Sequence, residues 1–159
     1  MNFKSFALKS SSALLVTAFL ILSSQAILQA QSQVQREAKV IEVNGKAEIL
    51  RSGQTAWSSA RKGSILKIGD SLKTSKNASA VIEIDGVAEP SMINVASNTE
   101  VKMSDLGLDE QTGTESTLID LAIGDVLVDT KPKAGSQFQV KTPTSIVGAR
   151  GTAFRVKEY

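Results

Sequence analysis

Apolar side chains recur at every second position through most of this chain, and that rhythm admits one kind of regular structure. Ile41, Val43, Ala47 and Ile49 share one face, followed by Ala80, Ile82 and Ile84, by Val101 and Met103, by Ile119, Leu121 and Ile123, by Phe138 and Val140, and by Phe154 and Val156. Successive side chains of a strand point to opposite faces, so these segments predict half-buried strands. After the first thirty residues, no stretch of about ten or more keeps a helical period. The expected fold is all-β: a single domain of short strands stacked in two sheets, sandwich or solenoid-like, after an N-terminal signal helix.

Glycine-containing turns separate the strands at Asn44-Gly45, Lys62-Gly63, Gly69-Asp70, Asp85-Gly86, Gly113, Gly124-Asp125 and Gly135. Asn-Gly ordinarily announces a two-residue hairpin. Here that pairing sets Ile41 opposite Glu48 and Val43 opposite Lys46, mixing apolar and charged residues on one face, so a bent or bulged strand is expected to run straight through Gly45. The sequence Ile-Gly-Asp-x-Leu occurs twice, at Ile68–Leu72 and Ile123–Leu127. Glycine permits a sharp corner, aspartate bonds the turn's own backbone and leucine returns to the core, which predicts one corner used twice.

The first thirty residues carry an export address. Lys4 and Lys9 precede the apolar run Ala13–Leu22, and Ser24-Gln25-Ala26 supplies small residues for a peptidase, with Ala30 as a second cleavage position. An uncleaved anchor extending to Leu28 is the alternative, and only then does the domain touch a membrane. The domain boundaries that follow are 1–30 for the signal peptide, 31–38 for a flexible lead-in through the polar stretch "QSQVQRE", and 39–159 for the β domain. The product is exported, to the periplasm or beyond.

Charge and composition then close off several functions. The chain has 18 Lys+Arg and 16 Asp+Glu, and setting aside Lys4 and Lys9 leaves 16 of each sign. A neutral mature domain without a concentrated basic patch is not built for nucleic acid. There is no cysteine and no histidine, which removes disulfides, thiol nucleophiles, the usual zinc ligands and the most common general base. No cofactor, no metal and no enzymatic activity are expected. Stability must come from burial, and a domain of roughly 130 residues buries about two thirds of its unfolded surface.

A set of motifs in fixed order resembles the FecR-type extracytoplasmic domain, named after the ferric-citrate regulator of bacterial envelopes. The matching stretches are "VNGKAEILRSG" from Val43, Trp57, "GSILKIGDSLKTSKNASAVIEIDG" from Gly63, "SNTEVKM" from Ser97, "TLIDLAIGDVLVD" from Thr117 and "SQFQVKTPTSIVGARGTAFRV" from Ser136. The resemblance implies an all-β fold and an envelope location. It does not extend to restraint of a sigma factor, because such regulators place a long cytoplasmic helical segment before their membrane span and a further subdomain after the FecR part. About a dozen residues precede the apolar run here, so a stand-alone domain is expected.

Candidate site residues are those of the repeated corner and of the tail: Gly69, Asp70, Gly124, Asp125, Pro143, Arg150, Gly151 and Thr152. Arg150, flanked by Gly148 and Gly151, is expected to reach back to Asp70 or Asp125 and latch the fold, although contact with an anionic partner is the functional alternative. A melting temperature unchanged by Arg150→Ala would remove the latch. Pro143 blocks a ladder donor and marks a strand end or edge. Glu83 and Asp85 could form a carboxylate pair for glycoside hydrolysis, against the plainer reading of a solvated strand face. Trp57 is either a core plug or an exposed anchor. The loop 112–116 offers room for recognition but no distinctive chemistry. The resulting expectation is a non-enzymatic module that binds an envelope protein, with carbohydrate or peptidoglycan binding as the alternative and a carboxylate-based hydrolase as the third.

Overall fold

The computed structural model describes residues 33–149, 151 and 153–159. The first thirty residues, expected as a signal peptide, lie outside the described residues, as do Arg150 and Thr152. No helix occurs among those described. Thirteen strands follow in order: β1 (Gln33–Gln35), β2 (Ala38–Asn44), β3 (Ala47–Leu50), β4 (Trp57–Ser59), β5 (Ile65–Leu66), β6 (Ser71–Thr74), β7 (Ser79–Ile84), β8 (Ser91–Val95), β9 (Glu100–Asp109), β10 (Thr114–Asp129), β11 (Gln137–Lys141), β12 (Ile146–Ala149) and β13 (Phe154–Glu158). The all-β expectation is met.

Nine of the strands make one path, β4-β3-β6-β9-β10-β8-β7-β2-β5, with β1 added to β9, β11 and β13 to β10, and β12 to β11. Every pairing is antiparallel except that of β10 with β11. The sheet curls around a single core in which Ile49, Leu72, Ile82, Ile93, Met103, Ile119, Leu121 and Val126 are almost fully enclosed. A fully buried aliphatic side chain contributes roughly 1.5–3 kcal/mol, so this core carries the domain's stability without any disulfide.

The central element is β10. Its first part pairs with β9 and β11, and its last residues pair with β8 and β13. Two register shifts interrupt its ladder with β9, after Leu118 and after Leu121. A bulge adds one residue and exchanges inward for outward positions beyond it. The first shift places its extra residue, Ser104, on β9, so Thr117, Ile119 and Leu121 keep one inward face; the second places Ala122 on β10, and beyond it Ile123, expected on the same face, is 51% exposed while Val126 and Val128 take over inside. The same device operates in β2, where the register shifts between Val40 and Glu42. Ala38 and Val40 are buried there, and Ile41 is left half-buried instead of leading the inward set.

At Asn44-Gly45 the chain does run through without a hairpin: β2 pairs with β5 and β7, while β3 pairs with β4 and β6. Gly45 has φ +76°, and a β-carbon there would stand 2.9 Å from that of Ala78, so the crossing requires glycine twice over. The polar stretch expected as a flexible lead-in is structured from Gln33 onward. Its strand β1 pairs with β9, and Arg36 enters the interior, because a guanidinium finds four acceptors there that outweigh the polar composition of its neighbours.

Candidate interaction surface

The two Ile-Gly-Asp segments are not the same corner. Gly69, with φ +90°, sits in a turn ahead of β6, and the next leucine, Leu72, is fully buried. Gly124, with φ +107°, lies inside β10 where the strand changes partners, and its following leucine, Leu127, is 38% exposed. Both glycines admit a close neighbour, Ser52 at Gly69 and Thr99 at Gly124. What the segments share is a left-handed glycine, not a path.

Their aspartates differ accordingly. Asp70 is buried and accepts hydrogen bonds from the Ser52 amide at 2.8 Å, from the Lys67 amide at 3.1 Å and from Arg51 at 2.7 Å, while Arg51 also bonds the Ile65 carbonyl. Burial pushes the Asp70 carboxyl up, but the two amides and the Arg51 cation together hold it below its ordinary value. A carboxyl depressed by folding adds stability that is present above its unfolded pKa, about 3.9, and is lost as the pH falls through the folded value. Asp70→Asn should therefore cost about 1–2 kcal/mol at neutral pH. Denaturant titrations of the two proteins should draw together as the pH falls from about 4 through the lower folded-state value; a gap undiminished by that fall would contradict the ionised pairing.

Asp125 faces outward and is met by Arg155 at 2.8 Å and Lys157 at 3.4 Å, both from β13. The carboxylates expected to receive Arg150 thus hold Arg51 in one case and Arg155 with Lys157 in the other, and the two aspartates have no partner in common among the described residues. Gly151 is exposed with φ +108°. It lies between β12 and β13.

The guanidinium that ties distant segments together is Arg36. Its Nε donates to the Gly107 carbonyl at 3.2 Å, one terminal nitrogen to the Asp85 carbonyl at 2.8 Å, and the other to the Ser116 carbonyl at 3.0 Å and to Thr117 Oγ1 at 2.5 Å. Glu115 stands 3.7 Å away, with 6% of the arginine side chain and 10% of the glutamate side chain exposed. Glu115 in turn accepts the Val87 amide at 2.6 Å. One side chain thus joins the start of β2, the bend after β7, β9 and β10. No motif in the sequence singles out Arg36, which stands two residues before the buried Ala38.

Among the described residues five strands have a neighbour on one side only: β1, β4, β5, β12 and β13. Trp57 belongs to β4 and is neither a core plug nor a free anchor. It is half-buried, with the Lys73 ammonium 3.8 Å from its ring centroid, and Lys73 also reaches Glu48. Pro143 sits in the β11–β12 turn, where Thr142 Oγ1 accepts the amides of Thr144 and Ser145, in keeping with its expected place at a strand end. Beyond that turn β12 carries Ile146, 62% exposed, opposite Lys141 of β11.

Among the described residues no group of three or more carboxylates is placed to hold a metal ion. Glu83 is half-buried in β7 and Asp85 is exposed, its backbone carbonyl engaged by Arg36. This surface offers backbone edges and a few charged side chains, an arrangement suited to docking a chain. A family model described as FecR protein matches residues 70–159, from the buried aspartate through the last strand. No curated protein and no solved structure matches the chain.

Proposed function

Because the chain belongs to the FecR family, we propose that it is a signalling-related interaction module of the bacterial envelope, exported behind a signal segment and working without catalysis. The observation that supports this reading is the extent of the match, which takes in β6 through β13 and so includes the one-sided strands β12 and β13. On this reading the curled sheet acts as two stacked faces, and its partner is an envelope protein met in the periplasm or beyond. Glycan binding draws less support, since sugars stack on open aromatic faces and one face of Trp57 holds the Lys73 cation.

Crosslinking in intact cells followed by mass spectrometry tests the proposal. The expected result is one dominant envelope protein attached to the domain. Recovery of glycan strands alone would overturn it.

A further inference from the structure

Four of the five one-sided strands are protected against chance pairing. β1, β4 and β5 are two or three residues long, and β13 carries Arg155 and Lys157 outward. Short edges and edge cations are the usual defences of a sheet margin. β12, "IVGA", has neither a charge nor a proline. Its hairpin closes with the Thr142 amide bonded to the Ser145 carbonyl at 2.8 Å. Antiparallel alternation from that bond makes Val140 with Val147, and Phe138 with Ala149, the pairs that exchange hydrogen bonds. The N–H and C=O groups of Ile146 and Gly148 consequently face away from β11, which agrees with the exposure of both residues.

The two faces of this margin differ. On the inner side Val147, Ala149 and Phe154 pack against the core yet stay half-exposed, so the core is incompletely covered there. On the outer side Lys141 stands in register between Ile146 and Asp120, and Asp120 lies in register with Lys102. Lys141 forms no ion pair among the described residues, while Asp120 takes the Ser104 hydroxyl at 2.8 Å. Both lysines are exposed, and the row is net positive. A strand added to β12 would run about 10 Å from β11, within the joint reach of a lysine and a glutamate side chain passing diagonally over Gly148, whose register partner is Gln139.

We infer that β12 is a strand-addition site for an extended segment of a partner protein, apolar at every second residue to cover Val147, Ala149 and Phe154, and carrying carboxylates on the outer side to meet Lys141. Main-chain bonds to Ile146 and Gly148 supply the attachment and the alternating side chains supply the selectivity. The inference rests on the interaction-module reading and names its surface.

The test uses the protein as the cell processes it and two fluorescent peptides, one alternating valine with glutamate and one alternating valine with lysine. The glutamate peptide should bind about fivefold more tightly, and Lys141→Glu should reverse the order. Gly148→Pro removes an outward donor without touching the β11 ladder, so it should weaken binding at least about tenfold while melting as wild type does. Ile146→Lys, a charge placed on the margin, provides the same answer should the proline variant fail to fold. Equal affinity for the two peptides, binding to neither, or binding indifferent to both margin variants would overturn the inference. So would self-association of the wild type, seen by sedimentation and abolished by Gly148→Pro, since the occupant would then be a second copy. If crosslinks placed elsewhere on the domain still capture an envelope protein from cells carrying Gly148→Pro, the module reading stands and the β12 site alone falls.

Discussion

Arg36→Ala should destabilise the domain by about 3–5 kcal/mol, lowering its melting temperature by on the order of 10–15 °C. The loss has two parts. Glu115, with a side chain only 10% exposed, would lose its cation, and the carbonyls of Asp85, Gly107 and Ser116 would lose their donor where water enters poorly. Arg36→Lys should recover only a minor share, because an ammonium is a point donor and the acceptors around Arg36 require the planar fork. Guanidinium denaturation followed by circular dichroism measures both variants. A midpoint for Arg36→Ala within error of wild type would show that the network adds nothing.

Gly124→Ala should cost more than about 3 kcal/mol, since it combines a backbone conformation that L side chains rarely adopt with overpacking. At φ +107° the added methyl would lie 2.5 Å from Thr99 Cα and 2.6 Å from its Cβ, and would meet its hydroxyl oxygen as well. Thr99→Gly in the same protein should therefore fail to restore stability, because the backbone atom remains. Gly151→Ala is the control: its φ is +108° but, among the described residues, no atom of another segment lies within 4 Å of the added carbon, so its penalty reflects backbone strain. If the two alanine variants melt alike, the collision at Thr99 is not the cause.

Much of the fold is legible in the sequence because alternation is a local signal. Ala80, Ile82 and Ile84, Val101 and Met103, and Phe138 and Val140 all enter the core as their spacing predicts. Ile41 and Ile123 depart from prediction at bulges, where one extra residue reverses the phase and the cause lies in a distant partner strand. The repeated Ile-Gly-Asp-x-Leu misleads for a related reason: a left-handed glycine serves equally in a turn before β6 and in a strand that changes partners. Arg36 escapes sequence reading because its acceptors are contributed by residues about fifty to eighty positions away. The family assignment is legible from the ordered motifs, of which those from Asp70 onward lie inside the matched residues.

The sharing of β10 between both groups of partners reaches beyond static architecture. A protease or a pulling force that frees the neighbours of its first part also strips the flank of β8 and β13, since all of them hang on one sixteen-residue strand. Such a domain has no half to surrender: it persists whole or is degraded whole.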